Sequence, residues 1–536
     1  MTRKTSAVAA LVVAAFMVNM AYAQSATEIL KQTGVSGGLV VHIGCGDGTL
    51  TAALHAGDAY LVQGLDTSAE NVAKARNALS TKGLAGQVTV RAFDGKTLPY
   101  RDNMVNLVVA EAGCPVPRAE IERVLAPNGV AWIGGTKHVK PRPAGLDEWT
   151  HYHHDPQGTM VGLDEVVGPP RGIQWMGGPK WLRNHDFMSS MHAMVSAGGR
   201  IFYVIDEGLR RHIFLPSKWV LIARDAYNGT ILWKRELKDW HPNNWPLKSG
   251  PGQFPRRLVA VGNTVFVTFG QTEPLTAIDA VTGKTLRTYD TTKATEEIIC
   301  DNGVLYLLVS PARKPIDYRA EGTSYKEIRR AEGGWGWTPA APDASVMAVD
   351  AASGRTLWKH DDKVVPLTLT LSGDRVFFSN GSGMVALDRK TGRPQWTSDG
   401  PAVKRVPTGG AMRAVYADGI LLVANGVKVT ALSAKDGQQR WTGSLLHSSH
   451  HCPNDLFLID GLIWSANTGS AQRNGTNLKA IDLKTGEVKK DFTATNLPVF
   501  PMHPRCYPQP GHHPVPHYQR NGRRVLPGGR DHLAGL

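Results

Sequence analysis

Six short segments of this chain repeat one pattern, and that repetition limits the fold more than any other feature. They are Ala223–Gly229, Ala277–Gly283, Ala348–Gly354, Ala386–Gly392, Ala431–Gly437 and Ala480–Gly486. Each reads Ala-x-Asp-x-x-x-Gly, with Ser433 in the Asp place of the fifth, and four reach a tryptophan four residues past the glycine: Trp233, Trp358, Trp396 and Trp441. Successive glycines lie 54, 71, 38, 45 and 49 residues apart, so each interval holds one supersecondary unit with loops of unequal length. A strand runs to Asp, a turn closes on Gly, and a second strand carries the Trp. Further strands are predicted upstream, at Gly199–Ile205, Asn263–Phe269, Gly303–Val309, Asp374–Ser379, Gly419–Ala424 and Gly461–Ala466. Four strands per unit form a propeller blade, and such sheets bury their faces only against neighbouring blades. The 57 glycines and 33 prolines among 536 residues suit this turn-rich design.

Residues 28–140 read differently. The apolar run Leu39–Ile43 ends in Gly44-Cys45-Gly46-Asp47-Gly48 and is followed by a helix from Thr49, the pattern of a buried strand entering a tight turn. Glycines at alternate positions let backbone N–H groups approach a ligand. A second strand, Tyr60–Leu65, ends at Asp66, and a helix follows over Thr67–Thr81. Strands are also predicted at Val88–Ala92, before Asp94, at Met104–Ala110, and at Val130–Ile133 after the turn Ala126–Gly129. Alternating strands and helices predict a parallel sheet with its ligand at the strand C-termini.

The order Gly44–Gly48, Asp66, Phe93-Asp94 and Arg123–Gly129 resembles class I S-adenosylmethionine-dependent methyltransferases. The resemblance implies a Rossmann-like core in which Gly44, Gly46 and Gly48 cradle the methionine half of the cofactor. Asp66 would take the ribose hydroxyls and Asp94 would face the adenine. Two departures stand out: His42 occupies the place where the family carries an acid for the cofactor's amino group, and no counterpart of the antiparallel strands six and seven is evident. Glu111 is the titratable group next to the fourth strand, and nothing marks it as a base.

The repeat region, residues 148–507, resembles the PQQ-like repeat of quinoprotein dehydrogenases and of the outer-membrane-assembly propeller. It implies seven or eight intended blades, with the recurrent Trp as a packing residue. Bound quinone is not expected, because the vicinal cysteines and the acid constellation of those dehydrogenases have no match. The five cysteines (45, 114, 300, 452 and 506) form no CxxC, which argues against a zinc ribbon or a c-type haem. His151–Asp155, His447–Cys452 and His503 with Cys506 are histidine-rich, but no spacing matches a metal-ligand pattern, so no metal is expected.

Residues 1–23 read as a cleavable signal peptide: Arg3 and Lys4, the apolar run Ala7–Val18, then Ala21-Tyr22-Ala23. This predicts export to the periplasm or cell envelope. The net charge of +14 is that of a solubilising surface, and no nucleic-acid partner is indicated. From Pro508 the sequence turns to Pro, His and Arg without strand alternation, and a frameshift near that point is expected to have replaced the closing blades with residues 508–536. The expected function is methyl transfer to a small-molecule or protein acceptor presented by the propeller. The alternatives are a non-catalytic cell-envelope scaffold and, less favoured, a quinoprotein oxidoreductase.

Overall fold

The computed structural model describes residues 25–168, 172–179, 191–209, 215–240, 254–311, 344–402, 412–446, 456–467 and 476–494. Residues 1–23, read above as a signal peptide, the histidine groups at 447–452 and 503–506, and the stretch 508–536 lie outside them.

The first sheet is made of β1 (Gly38–Ile43), β2 (Tyr60–Asp66), β3 (Val88–Ala92), β4 (Val105–Ala110), β5 (Leu125–Ile133) and β6 (Thr136–Val139), in the order β3-β2-β1-β4-β5-β6. The first five strands are mutually parallel, and β6 returns antiparallel along β5. One short counterpart of the antiparallel strands is therefore present, contrary to the sequence expectation. It is exposed at a sheet edge, so it lacks the apolar signature that identifies a buried strand. Strand β5 also begins earlier than expected: Leu125 already pairs with Val105, and a bulge absorbs the turn at Asn128-Gly129.

Strand β1 is buried on both faces, and its residues alternate between two cores. Val40 joins Val62, Val90, Leu107 and Val109 beneath helix α1 (residues 25–33) and α3 (Ala69–Thr81). Leu39, Val41 and Ile43 join Leu65, Val105 and Val108 against α4 (Arg118–Val124). The one-turn helix α2 (Thr49–Ala53) packs Ala52 into the first of these cores. Helix α3 starts at Ser68, whose hydroxyl accepts from the Asn71 N–H, an N-cap that satisfies one orphan donor.

Among the described residues, six four-stranded antiparallel sheets follow, spanning Met191–Glu236, Leu258–Tyr289, Thr295–Asp361, Thr370–Thr397, Arg413–Ser444 and Phe457–Ala494. They are the blades of a β-propeller. The blade turns show why the repeat needs its glycine and its tryptophan. Every turn glycine has φ between +69° and +77°, where a side chain is strained. A Cβ on Gly283 would lie 2.7 Å from the Trp233 ring, one on Gly392 2.6 Å from Trp358, one on Gly437 2.6 Å from Trp396 and one on Gly486 2.6 Å from Trp441. In each case the tryptophan belongs to the preceding blade. Its Nε1–H donates across to the residue just after the Asp position, at Ala280, Arg389, Ala434 and Leu483. The repeat is thus an interlock between consecutive blades.

Candidate functional site

The expected cofactor residues meet at the C-terminal edge of the parallel sheet. The loop after β1 is pinned by Gly44 and Cys45 N–H groups donating to the Leu65 carbonyl at 2.8 and 3.1 Å. Gly44, Gly46 and Gly48 all have positive φ, but they serve different ends. A Cβ on Gly44 or Gly46 would meet nothing within 4 Å, whereas one on Gly48 would lie 2.8 Å from the Ala75 Cβ. Gly48 therefore lets α3 pack, while Gly44 and Gly46 leave the backbone open to a ligand.

Asp66 ends β2 beside this loop and is already hydrogen-bonded. Its Oδ2 accepts from Gly46 N–H at 2.9 Å, its Oδ1 from Ser68 N–H at 2.9 Å, and both oxygens from the Asn71 amide at 3.2 and 3.3 Å. A carboxylate offers about four acceptor positions, so little capacity is left for a diol unless the loop shifts. Asp94, after β3, is solvent-facing. It accepts from the Thr97 and Lys96 N–H groups at 2.7 and 2.8 Å, and those bonds hold its pKa below the usual carboxylate value.

His42 is buried, with Nδ1 2.8 Å from the Thr51 hydroxyl. Burial lowers its pKa to about 4 against the opposing pull of Asp66, so it is neutral at pH 7 and cannot stand in for an acid. Burial also raises the Cys45 thiol to about 11, with Asp66 adding to the shift, and leaves it unreactive. Glu111 is exposed just beyond β4.

Sequence reasoning missed the joint between the two regions. Asn106, at the start of β4, donates to Asp225 at 2.7 Å. Its carbonyl accepts from Asn228 at 2.7 Å and from Leu39 N–H at 2.8 Å. Asn228 also donates to the Met104 carbonyl. Asp225 and Asn228 form the first blade's repeat turn, so the blade docks on the N-terminal ends of the strands. The glycine loop is at the other end of six-residue β1, about 20 Å away. The first blade's repeat turn is therefore at the opposite end of the sheet from the loop. A polar residue opening an otherwise apolar strand was the available signal.

The histidine cluster at 151–155 is structural. Residues 149–159 thread past the innermost strand of all six blades in order. The carbonyl of Trp149 accepts from Ser196 N–H, that of Thr150 from Ala260 N–H, and His151 Nε2 from Cys300 N–H. Gln157 then accepts from the Thr370 hydroxyl, Gly158 from the Arg413 guanidinium, and Thr159 from Leu458 N–H. Accepting a backbone N–H requires neutral His151, consistent with burial lowering its pKa to about 4. His154 sits between Asp147 at 2.7 Å and Asp155 at 3.1 Å. Burial would lower its pKa, but hydrogen bonds and charge from Asp155 and then Asp147 outweigh this and raise it. Among the described residues, no three His, Cys, Asp or Glu side chains converge as a metal would require.

Fold and site define a two-part chain: a methyltransferase-like α/β domain joined to a PQQ-like propeller. The methyltransferase domain family model matches residues 40–129, and the model described as outer membrane protein assembly factor BamB matches residues 340–452. No curated protein matches the chain. Among solved structures, a Methanococcus maripaludis protein described as an S-adenosyl-L-methionine-dependent methyltransferase is 24% identical over 21% of this chain, with a TM-score of 0.20. Geranyl diphosphate methyltransferase in complex with its cofactor is 20% identical over 21%, with a TM-score of 0.19. BamB from Moraxella catarrhalis is 15% identical over 55%, with a TM-score of 0.31. This chain spans 54%, 48% and 66% of those three chains, respectively.

Proposed function

We propose that the α/β domain binds S-adenosylmethionine at Gly44, Gly46, Asp66 and Asp94 and passes its methyl group to a small-molecule or protein acceptor arriving from solvent. The open space above Gly44 and Gly46, beside two carboxylates at strand ends, carries this reading. On the adenosine side, Asp66 at the end of β2 would take the ribose by giving up part of its bonding to its own loop, and solvent-facing Asp94 would face the base. The donor set fits the methionine half less well, because neutral His42 offers no charge to the ammonium. When bound, the cofactor supplies an electrophilic methyl group. The protein's part is to orient it and keep its charged groups paired.

Titration calorimetry on the full chain tests the reading. Saturable binding below millimolar cofactor is expected, weakened about tenfold in Asp66→Ala as one charge-assisted hydrogen bond is lost. No binding at millimolar cofactor, or an unchanged affinity in Asp66→Ala, removes it. The second reading, a non-catalytic cell-envelope scaffold, is favoured by the self-satisfied Asp66 and the neutral His42. Cofactor bound without turnover would select it. Quinone chemistry has the least support. Export is part of the proposal and rests on residues 1–23. Fractionation of the native cells tests it, and a cytoplasmic protein would overturn it. Among the described residues, no helix is long and apolar enough to cross a membrane.

A further inference from the structure

Strand β1 is apolar except for His42, which lies two residues before Gly44 at the sheet edge where the site forms. Its neighbours across the sheet are Gly64 in β2 and Val109 in β4. Gly64 is what admits helix α2 here: a Cβ on it would lie 2.8 Å from the Cys45 Cβ and 3.1 Å from the Thr51 methyl carbon. Thr51 is thereby brought down onto the imidazole, with its hydroxyl 2.8 Å from Nδ1. Both side chains are buried.

Hydrogen-bonding capacity fixes which ring nitrogen carries the proton. Nδ1 is the one partner of the Thr51 hydroxyl among the described residues. A buried hydroxyl proton without an acceptor is costly, so the hydroxyl donates and Nδ1 accepts. Burial keeps the ring neutral, and its single proton therefore sits on Nε2. Nε2 has no partner among the described residues and is not sealed from solvent. The Asp66 carboxylate is near enough to pull on the ring, which puts His42 beside the space above Gly44 and Gly46.

The strand order β3-β2-β1-β4 sets what an adenosine ligand would meet. With its base at Asp94 after β3 and its ribose at Asp66 on β2, its 5′ tail crosses the end of β1. There the tail finds the Nε2–H donor of His42 and the buried thiol of Cys45. Asp47, the acid of the loop, is exposed and its Oδ1 accepts from Thr49 N–H at 2.9 Å, so water screens what it could offer a cation. An ammonium group only donates and would oppose a second donor, whereas a carboxylate or hydroxyl oxygen would pair with it.

We propose that His42, positioned by Thr51, makes this site select adenosine derivatives whose 5′ tail offers a hydrogen-bond acceptor and carries no ammonium group. This selectivity rests on adenosine binding at Asp66 and Asp94, as proposed above, and makes S-adenosylmethionine a weaker ligand than its desamino relative.

The probes are S-adenosylhomocysteine and its desamino analogue, two thioethers that differ only in the ammonium group, titrated calorimetrically into the full chain. The desamino analogue is expected to bind about tenfold more tightly, the effect of one unpaired donor. Equal affinities, or a preference for the parent, overturn this selectivity while leaving adenosine binding intact. No binding of either thioether or of S-adenosylmethionine at millimolar concentration overturns both. His42→Asp supplies an acceptor and should turn the preference to the parent by about tenfold. Thr51→Val, nearly isosteric, keeps the test open where that variant does not fold. It frees the ring to protonate at Nδ1, and the two affinities should come within about twofold of each other. A packing defect would weaken both ligands alike, so a tenfold ratio that persists in Thr51→Val overturns the proposal.

Discussion

Glycines with nearly the same backbone angles do opposite things in the two regions. Gly46 in the α/β domain and Gly392 in the propeller both have positive φ, at 54° and 69°. Above Gly46 there is open space, while above Gly392 lies the Trp358 ring. A left-handed glycine thus marks either a place kept free for a ligand or a place filled by a neighbour. Its surroundings, not its torsion, tell which. Gly48 sits inside the binding loop and yet belongs with the packing glycines, since its absent side chain makes room for Ala75.

The sharpest way to break this distinction is to add a methyl group at each. Gly392→Ala should destabilise the propeller by about 4 kcal/mol, from left-handed strain and a clash with a ring that cannot move, measured as a denaturant midpoint shift. Gly46→Ala should cost only about 1 kcal/mol, the torsional part, while weakening cofactor binding. Equal losses at the two sites would end the comparison.

Acid should separate the regions next. His42 is held neutral with a pKa of about 4, so below about pH 6.5 the unfolded chain takes up a proton that the folded α/β domain refuses. That domain should be flat between about pH 6.5 and pH 8, below the ordinary thiol range, and lose up to roughly 3 kcal/mol by pH 4. His42→Gln should remove the loss. The propeller contains His154, whose raised pKa gives stability that is complete below about pH 6.5 and declines as pH climbs through the folded value. It also contains His151, which acts like His42. Its stability should therefore pass through a maximum near pH 6.5. Hydrogen exchange of β1 and of the blade strands, followed across pH, resolves the two profiles.

Asn106→Leu should cost about 2 kcal/mol by stranding Asp225 and Asn228, and should split one calorimetric unfolding peak into two. The smallest effect is expected for Trp358→Phe. It removes the Nε1–H bond to Arg389 but keeps much of the ring over Gly392, and should lower stability by about 1 kcal/mol in thermal melts.

Much of this was legible in the sequence because both regions obey strong periodic rules. Strand β1, the glycine loop and the six Ala-to-Gly elements announce themselves by pattern. What the pattern could not supply was long-range pairing. Trp175, whose Nε1–H donates to the Ala226 carbonyl, has Gly172 three residues before it, one short of the repeat spacing. Tyr289, whose hydroxyl donates to the Ala351 carbonyl, stands six residues past its glycine instead of four, so neither matched. The roles of Asn106 and of residues 149–159 depend on partners about 50 to 300 positions away, which no local window contains. Gly44, Gly46, Gly48, Asp66 and Asp94 follow the C-terminal ends of β1, β2 and β3. That Asp66 spends its oxygens on its own loop, and that Gly48 serves packing, are facts of geometry alone.

The strap of residues 149–159 also sets an order on synthesis. It leaves the ribosome before any blade, yet its last described partner, Leu458, emerges about 300 residues later. At roughly 5–20 residues per second, that is a wait of about 15 to 60 seconds before the Thr159 carbonyl meets its partner, with His151 and the earlier carbonyls paired sooner as Ser196, Ala260 and Cys300 emerge. The α/β domain, complete by then, can fold at once. The propeller, dominated by contacts of large sequence separation, is the slow and aggregation-exposed half of the nascent chain.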